Sequence, residues 1–549
     1  MTLQRFIVRG FLLFAFSTVA AGNAYAVNLF YNTEVQLQTI VGFGGGLVFD
    51  KYPFNHPRKD ELYDSIFNNA QINVLRICNW YNPQENNAVK EIPMLREINE
   101  KWPHVKTMLA SWSPPPYLKN NNSIAGVLVT KVDTGEVLSP ATLRKNGDST
   151  YMYKEYGEYW YQSLKHFSDS GVTFDWVSIQ NEPDVWSDYE GCQFDSVENP
   201  IIASYGKALA AVYNACDNRF STPIRFIGPD VAGMSNNRLQ GYVESSETDK
   251  SMFTALSHHY YDYAAPAFMM LTAEQYKNIP LFQTEFLVNE GKNWMGVEQS
   301  WFDHAGIILD ELKYEHVAVY CIFALTYKPA STHCFFSLDT LGGDGYEIRP
   351  TWYMFKHYSR SIHRGWHQLL AETDDSLVSS VVFSSPAQDS FAIVLVNKAT
   401  EERSINYEFP GMTGRMYQTT DSLKYVETPG LTSGGSVTLP FRSITTLEFH
   451  INSAAVSAPA VSKAAQHPGI GSVTRAAAGF LRVAFAAPFG SATITITDIR
   501  GRTVSRTNIG AAHRRDGVAV VRCNTAPGLY TISLTGGTSR FTRTCVVGR

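Results

Sequence analysis

The chain has 549 residues, which is enough for two or three domains. Its composition, 44% hydrophobic and 18% charged, is that of a globular protein and not of a disordered chain. The formal net charge of −5 argues against a general nucleic-acid-binding protein.

The first 26 residues have the features of an export signal. Arg5 and Arg9 precede the apolar run GFLLFAFSTVAA, and an Ala-Tyr-Ala sequence ending at Ala26 forms a cleavage site. A retained N-terminal anchor is the alternative, although the run is short for a membrane span. No later stretch approaches ~18 consecutive apolar residues. We therefore expect a mature chain without a membrane span, secreted or at the cell surface.

The seven cysteines are an odd number, and an oxidising compartment would permit disulfides. Pairing of Cys321 with Cys334 and of Cys523 with Cys545 is a hypothesis that sequence alone does not fix. No pair has C-x-x-C spacing, so no structural zinc site is expected.

Residues 38–362 alternate short apolar strands with amphipathic helical stretches. Near-continuously apolar strands separated by helices predict a parallel sheet that is covered on its faces. Eight such units over about 300 residues predict a (β/α)8 TIM barrel. A doubly wound open sheet is the alternative, but no G-x-G-x-x-G follows an early strand. The predicted strands are 42–46, 72–78, 105–111, 174–180, 224–230, 253–260, 280–286 and 317–323.

The remaining chain is predicted to be mainly β-structure. Residues 363–451 contain strands without intervening helices, which indicates an adjoining antiparallel β side domain. The N-terminal strand 27–37 is expected to join that sheet. Residues 452–468 are rich in Ala, Ser and Pro and read as a linker. Residues 469–549 predict a small β-sandwich with 11 Arg, no Lys and a net charge of about +9.

Two carboxylates follow strands that face one another across the predicted barrel. Glu182 comes after the fourth strand and Glu285 lies at the end of the seventh. Active sites of TIM barrels are formed at the C-terminal ends of the strands, so both are expected at the barrel mouth. Paired carboxylates among aromatic rings suit cleavage of a glycosidic bond. No phosphate-binding loop or metal-ligand spacing accompanies them, so neither a cofactor nor a metal is expected.

Each of these residues also has a purely structural interpretation. A single Glu after a strand is most often a loop residue or a helix cap, but two at strand ends make that reading less favourable. Arg76 could be only an ion-pair partner, and Trp112 could belong to the core. His258 is as consistent with a wall of the site as with a proton carrier, and His258-His259 on a strand is not metal spacing because neighbours point to opposite faces.

Six motifs together resemble glycoside hydrolase family 30. They are GFGG on the first strand, LRI on the second, SWSPPPYLK on the third, SIQNEP on the fourth, HHY on the sixth and QTEF on the seventh. The resemblance covers about residues 38–451 and includes the closing segment PFRSITTLEF of the side domain. It implies a retaining double displacement with Glu182 as the acid/base and Glu285 as the nucleophile.

The same resemblance implies roles for the surrounding side chains. Asn181 would bind the sugar 2-hydroxyl, and Arg76 would support the nucleophile from below. Tyr260, or His258 beside it, would bond and orient Glu285. Three aromatic residues would stack on sugars or shape the subsites: Trp80, Trp112 and Tyr327.

The substrate implied is a polysaccharide or oligosaccharide, with β-1,4-xylan from plant hemicellulose as the first choice. A β-1,6-glucanase or a β-glucosidase or glucosylceramidase-like enzyme is the same-class alternative, and a non-catalytic glycan-binding surface protein is the other. Family members specific for glucuronoxylan carry an arginine after strand eight, where this chain has Ala324 and Leu325. Lys328 lacks the planar fork that grips a carboxylate, so dependence on glucuronate is not expected. The insertion between strand three and its helix is expected to close one end of the cleft.

The C-terminal segments TITDIRGRTV and GLYTISL resemble sorting domains of type IX secretion substrates. That resemblance implies export through secretion machinery and often surface attachment. A carbohydrate-binding or adhesive β-sandwich is the alternative, because the arginine richness would suit anionic surfaces as well.

Overall fold

The computed structural model describes residues 26–48, 56–85, 91–132, 135–293, 296–339, 343–451, 469–477, 480–486, 492–498, 502–509, 518–522, 528–536 and 539–547. The predicted export signal lies outside these residues except for Ala26, where strand β1 (Ala26–Thr39) begins. The predicted linker 452–468 also lies outside the described residues.

A closed barrel of eight parallel strands forms the centre of the molecule and confirms the predicted fold class. Each strand matches one predicted from the apolar runs. In chain order they are β2 (Gly42–Gly46), β3 (Val74–Cys78), β4 (Lys106–Ala110), β7 (Trp176–Ser178), β8 (Phe226–Val231), β9 (Phe253–His259), β10 (Leu281–Phe286) and β13 (Val317–Ile322). The glycines of β2 are required where strands meet, because a Cβ on Gly44 would lie 2.1 Å from the Val74 carbonyl oxygen.

Eight α-helices accompany the described strands. They are α1 (Lys59–Tyr63), α2 (Ile92–Lys101), α3 (Tyr153–Asp169), α4 (Tyr205–Cys216), α5 (Arg238–Val243), α6 (Pro266–Gln275), α7 (Trp301–Asp310) and α8 (Pro350–Ser359). Two π-helical turns, Asp64–Asn69 and Glu311–Glu315, continue α1 and α7, and single 3-10 turns cover Pro116–Leu118, Ser235–Asn237 and Lys250–Met252. No helix in the described part of the chain combines the length and the apolar character that crossing a membrane requires.

Three short sheets lie in the described loops between these elements. They are the hairpin β5 (Val127–Val132) and β6 (Gly135–Pro140), the pair β11 (Gly291–Lys292) and β12 (Glu298–Gln299), and the three-stranded sheet β14 (Ala324–Tyr327), β15 (Cys334–Leu338) and β16 (Tyr346–Ile348). The β5–β6 hairpin belongs to the insertion after the third barrel strand.

The barrel has two apolar layers, one inside the strands and one between strands and helices. Inside, Trp176 meets Phe282 edge to face with ring centroids 5.3 Å apart. Cys321 also lies in this inner cluster as a free thiol, and burial raises its pKa to about 12. The proposed disulfide between Cys321 and Cys334 is therefore wrong, while Cys523 lies outside the described residues.

A nine-stranded sheet stands beside the barrel. Strand β1 pairs antiparallel with β17 and parallel with β20, so the N-terminal strand is part of it. The other strands are β17 (His367–Thr373), β18 (Val378–Ser384), β19 (Ser390–Asn397), β20 (Arg403–Glu408), β21 (Met412–Thr419), β22 (Val426–Leu431), β23 (Gly434–Leu439) and β24 (Ser443–Ile451).

The C-terminal region forms two antiparallel sheets. One contains β25 (Gly469–Ala477), β26 (Phe480–Ala486) and β29 (Val518–Arg522). The other contains β27 (Ala492–Asp498), β28 (Thr503–Ile509), β30 (Gly528–Gly536) and β31 (Ser539–Val547). These sheets agree with the predicted β-rich C-terminal unit.

Candidate active site

Glu182 projects from the end of β7 into the barrel mouth. Its backbone has a φ of +44°, which is unusual for a residue with a side chain. Its N–H donates to the carbonyl of Asp230 at 3.0 Å, and Asp230 itself has a φ of +62°. Two strained residues at adjacent strand ends thus hold each other in place, as is common at functional sites.

Glu285 lies on β10 with its carboxylate held from two sides. Arg76 Nη1 donates to Oε2 at 2.5 Å, and the Tyr261 hydroxyl donates to Oε1 at 2.8 Å. The Glu285 side chain is 7% exposed. Hydrogen bonds from a cation and a phenol both favour the ionised form of a carboxylate.

The two carboxylates come close together at the mouth. One oxygen of Glu182, one oxygen of Glu285 and one ring nitrogen of His259 all lie within 4.8 Å of one another. Three such groups could in principle hold a metal ion. However, both oxygens of Glu285 already accept hydrogen bonds, one from Arg76 and one from the Tyr261 hydroxyl.

Arg76 is the centre of the site, since its fork reaches three other side chains. Besides Glu285, it donates through Nη2 to Asn181 Oδ1 at 2.7 Å and to Asp230 Oδ2 at 3.1 Å. Its guanidinium carbon lies 4.5 Å from the centre of the Trp112 ring. The Arg76 side chain is 1% exposed, so its ion pairs are shielded from water. Binding several acceptors at once requires the planar guanidinium group of arginine, with its several N–H donors.

The pKa values of the acidic groups differ because their partners differ. Burial raises the pKa of Glu182 to about 7, against the opposing charge of Arg76. Burial would raise the pKa of Asp230 too, but the charge of Arg76 and smaller contributions, including the hydrogen bond from the Thr284 hydroxyl, together outweigh it and hold the pKa at about 2. Burial raises the pKa of Glu285 above its usual value, although His259, Arg76 and the Tyr261 hydroxyl oppose the rise. Of the two glutamates at the barrel mouth, Glu285 accepts the stronger hydrogen bonds, which favour its ionised form. Glu182 is the one that more readily holds a proton.

His259 is neutral and faces Glu182. Burial lowers the pKa of its imidazole to about 4. Its Nε2 lies 3.4 Å from Arg76 Nη2, which can only donate, so Nε2 accepts and the proton sits on Nδ1. Nδ1 lies 3.0 Å from Glu182 Oε1 and donates to it. The imidazole therefore orients Glu182 without carrying charge.

The predicted partners of Glu285 are wrong by one residue. The Tyr260 hydroxyl donates to the backbone of Ala264 at 2.6 Å and does not reach Glu285. His258 points away from the barrel interior and bonds through Nε2 to Glu315. Alternation along β9 places His259 on the inner face and His258 on the outer, and Tyr261 reaches Glu285 from the loop after the strand.

The three predicted sugar-stacking aromatics occupy different environments. Trp112 is 2% exposed and packs on Arg76, so it supports the cation and offers almost no surface to a ligand. Trp80 is half-buried, with its Nε1–H donating to the Val48 carbonyl at 3.1 Å. Tyr327 is half-buried beside His333, with ring centroids 4.9 Å apart.

The insertion after β4 is tied to the loop that carries Glu182. The buried Lys119 ammonium donates to Ser113 Oγ at 3.0 Å and to backbone carbonyls of both segments, Ala125 at 2.7 Å and Gly191 at 2.5 Å. The hydroxyl of Tyr189, in the same loop, lies 3.4 Å from Glu182 Oε2. Burial lowers the pKa of Lys119 to about 8. This clamp fixes the wall of the site next to Glu182.

Four residues of the site were not among the predicted ones: Tyr189, Asp230, His259 and Tyr261. Asp230 had a usable signal, since it is a carboxylate at the end of the fifth strand. His259 and Tyr261 each lie one position after a predicted residue, so the prediction failed only in the face of the strand that it chose. Tyr189 carries no signal in the sequence, because only the clamped loop brings it back to Glu182.

No family model matches the chain. One curated relative, a Caenorhabditis elegans protein that carries the provisional name glucosylceramidase 1, is 27% identical over 117 residues. That match covers 20% of this chain and 20% of the relative, so the chain spans about a fifth of the relative's length.

Solved structures resemble the chain over most of its length. A family 30 subfamily 8 xylanase from Clostridium acetobutylicum has a TM-score of 0.59 at 17% identity, over 77% of this chain and 99% of that one. The catalytic domain of xylanase C from Talaromyces cellulolyticus has a TM-score of 0.61 at 16% identity, over 77% and 99%. An endo-β-1,6-glucanase has a TM-score of 0.59 at 14% identity, over 79% and 96%. The chain therefore has the fold of glycoside hydrolase family 30, a TIM barrel joined to a β side domain.

Proposed function

We propose that the protein is a retaining β-glycoside hydrolase. The observation that carries the proposal is the pair of unlike carboxyl groups at the barrel mouth, with oxygens of Glu182 and Glu285 within 4.8 Å. Retaining enzymes place their two carboxyl groups about 5–5.5 Å apart, because one of them attacks the sugar directly. Inverting enzymes need about 6.5–9.5 Å to admit a water molecule.

The first step is attack by Glu285 on the anomeric carbon. A carboxylate oxygen of Glu285 forms a bond to that carbon while the glycosidic C–O bond breaks. Glu182 gives its proton to the departing oxygen, so the leaving group departs as an alcohol. A pKa of about 7 keeps Glu182 protonated in neutral to acidic solution, as this step requires.

The second step releases the sugar from Glu285. Glu182, now a carboxylate, takes a proton from water as the water oxygen attacks the anomeric carbon. The bond to Glu285 breaks and its carboxylate returns to Arg76 and Tyr261. Asn181 Oδ1 is held by Arg76, which turns its Nδ2 group away from the cation and towards the sugar hydroxyl beside the reacting carbon.

For the substrate, we propose β-1,4-xylan or xylooligosaccharides from plant hemicellulose. Similarity of fold to the two xylanases supports this choice. The second candidate is a β-1,6-glucan or a β-glucoside, because the glucanase and the provisional glucosylceramidase are also similar to parts of the chain. Export to the cell surface by the N-terminal signal and the C-terminal unit remains part of the proposal, and fractionation of expressing cells tests it.

A 2-deoxy-2-fluoro glycoside with an activated leaving group tests the mechanism directly. The fluorine slows both steps, and the good leaving group keeps formation of the glycosyl-enzyme faster than its release. We expect mass spectrometry to locate the added sugar on Glu285, and Glu285→Gln to remain unlabelled with activity lowered by at least about 1,000-fold. Product anomers followed by NMR should retain the β configuration. Inversion, or labelling elsewhere, would contradict the assignment.

Activity assays on xylan, glucuronoxylan, β-1,6-glucan and aryl β-glycosides determine the substrate. The lengths of the products are measured in each case. Xylan should be hydrolysed without a requirement for glucuronate. Exclusive activity on β-1,6-glucan or on glucosides would replace xylan with the second candidate.

A further inference from the structure

The four-stranded C-terminal sheet has two faces of different chemistry. Its strands are ordered β28-β27-β30-β31. Four apolar side chains on one face are completely buried: Ile494, Ile496, Ile532 and Leu534. On the other face, strand alternation places a threonine at every second position of β27: Thr493, Thr495 and Thr497. The sheet therefore covers a core with one face and presents hydroxyl groups on the other.

The pairing registers extend this polar face across all four strands. Residues directly opposite one another on paired strands lie on the same face of a sheet. The threonines of β27 thus belong to rows of four side chains, and we call two of these rows together the hydroxyl face. One row contains Arg506, Thr495, Ser533 and Thr542, and the next contains Asn508, Thr493, Thr535 and Arg540.

Two arginines stand at opposite edges of the hydroxyl face. Arg506 lies on β28 and Arg540 on β31, and both side chains are exposed. Three strand spacings of about 4.8 Å separate these strands, so the two positions are about 14 Å apart across the sheet. Neither arginine forms an ion pair with a carboxylate that the structure describes, whereas Arg502 pairs with Asp498 at 2.7 Å. Both guanidinium groups are therefore available to an anionic ligand.

Hydrogen bonds within the hydroxyl face order the side chains between the arginines. The Thr493 hydroxyl donates to Asn508 Oδ1 at 2.9 Å. Arg540 Nη2 donates to Ser533 Oγ at 3.2 Å, so this guanidinium lies against Ser533, which is 2% exposed. Hydroxyl groups both donate and accept hydrogen bonds, as the hydroxyls of a sugar do. The result is an ordered polar surface whose groups match those of a carbohydrate.

We propose that the hydroxyl face binds an acidic polysaccharide, a chain of sugars that carries carboxylate groups, lying across the strands from Arg506 to Arg540. The planar guanidinium of each arginine would bind a carboxylate through two parallel N–H donors. The hydroxyls between them would bind the sugar hydroxyls. This site is separate from the barrel mouth and does not depend on the reaction proposed there.

The distribution of charge along the chain favours an anionic ligand at this unit. Residues 469–549 carry a net charge of +9, with 11 Arg and no Lys, while the whole chain carries −5. The remaining residues therefore carry −14. A polyanion is attracted to the C-terminal unit and repelled by the rest of the protein, so charge directs it to the hydroxyl face.

The chemistry of the face favours a polysaccharide over the other common polyanions. Binding to a membrane surface buries a broad apolar face. Among the described residues of the two C-terminal sheets, Val504 is the one large apolar side chain that is exposed. Proteins that bind single-stranded nucleic acid stack the bases on aromatic rings, and neither row of the hydroxyl face contains an aromatic residue.

Calorimetric titration of the full chain with galacturonate oligomers tests the proposal. An octamer can contact both arginines, whereas a dimer is too short to join positions about 14 Å apart. We expect the octamer to bind more tightly than the dimer by at least about 10-fold at low salt. Raising NaCl from about 20 mM to about 500 mM should weaken the octamer by at least about 10-fold, because salt screens exposed charges. No binding of the octamer at low salt would overturn the proposal.

Variants locate the binding on the face and remove the advantage that an octamer gains from its larger number of binding registers. Arg506→Gln and Arg540→Gln should each weaken the octamer by up to about fivefold, and the double variant by about 10-fold or more. Each should also lower the ratio of octamer to dimer affinity. Arg502→Gln, whose charge is already paired, is the matched control and should change the affinity by less than about twofold. An equal loss in Arg502→Gln, or no loss in the double variant, would overturn the site.

Competing ligands and activity complete the test. Phosphatidylglycerol vesicles and single-stranded oligothymidylate should bind more weakly than the galacturonate octamer. Tighter binding of either one, weakened in the double variant, would assign the face to that ligand and overturn the polysaccharide. Hydrolysis of aryl glycosides should be the same in the wild type and the double variant. Hydrolysis without octamer binding would remove this site alone, and octamer binding without hydrolysis would remove only the proposed glycosidase function.

Discussion

Two buried clusters of titratable side chains lie on opposite faces of strand β9. The mouth cluster, on the inner face, contains Arg76, Glu182, Asp230, His259 and Glu285. The rear cluster lies towards the π-helical turn after α7 and contains His258, Glu311 and Glu315. All eight side chains are at least nine-tenths buried.

The clusters differ in whether a permanent cation is present. In the mouth cluster, Arg76 lies within hydrogen-bond distance of both Asp230 and Glu285, and the pKa of Asp230 stays at about 2. In the rear cluster, neither carboxylate oxygen of Glu311 has a partner among the described residues, and burial together with Glu315 raises its pKa well above the usual value. Glu311, a buried acid without a nearby cation, is therefore neutral, whereas Asp230, which accepts a hydrogen bond from Arg76, stays charged.

Arg76→Met should have the largest effect, because it makes the mouth cluster resemble the rear one. Removing one partner of a buried ion pair costs about 3–5 kcal/mol, since the remaining charges are left uncompensated. We expect that loss in the free energy of unfolding from chemical denaturation, together with a fall in kcat/KM of at least about 100-fold. Arg225→Met is the matched control: it breaks the exposed pair with Asp175 and should cost about 1 kcal/mol or less. Similar losses for the two variants would remove the distinction between the clusters.

The second prediction concerns the pH dependence within the mouth cluster. Glu182 must be protonated to act as the acid, so kcat/KM should fall as the pH rises through its pKa of about 7. The Tyr189 hydroxyl stabilises the carboxylate form and lowers this pKa, whereas the charge of Asp230 raises it. Tyr189→Phe should therefore move the alkaline limb to higher pH, and Asp230→Asn should move it to lower pH. Shifts in the same direction in full pH profiles would contradict the assignment of Glu182.

The sequence predicts the barrel well because each strand is a continuous apolar run of the right length. Runs such as VLRIC and LFQTEF are buried on both faces, so their polar exceptions Arg76 and Glu285 are visible as candidates. Glu182 is visible for a related reason, since it follows the buried strand β7 after only three residues. These predictions require only that the strands be located in the sequence, and local composition is sufficient to locate them.

To predict which side chains enter the site, one must also know on which side of its strand each residue lies. In FTALSHH, Ala255 faces the barrel interior and Leu256 the outer core, so alternation sends His259 inward and His258 outward. The same alternation distinguishes His259 from His258 in the sequence alone. Trp112 and Tyr189 are different cases, because their roles depend on Arg76 and on the Lys119 clamp, which are contacts between segments distant in the chain.

Glu311→Gln should have the smallest effect, and it tests the rear cluster. The raised pKa of Glu311 means that the folded state holds a proton that the unfolded state loses above about pH 4.5. Its contribution to stability is thus full below that pH and disappears as the pH rises, in the same direction as that of His258, whose pKa Glu315 raises against the effect of burial. Glutamine keeps the shape of the neutral acid but has no proton to lose. We therefore expect activity to be retained and the free energy of unfolding to fall less steeply between pH 5 and pH 8 than in the wild type.

Denaturation curves at several pH values measure this slope, with the exposed Glu274→Gln as the control that should leave it unchanged. An unchanged slope in Glu311→Gln would mean that Glu311 is ionised in the folded protein despite the absence of a cation. Burial without arginine would then be insufficient to keep a carboxyl group neutral in this barrel. The same burial raises the pKa of Glu182, so the proton assigned to that residue would lose its physical basis as well.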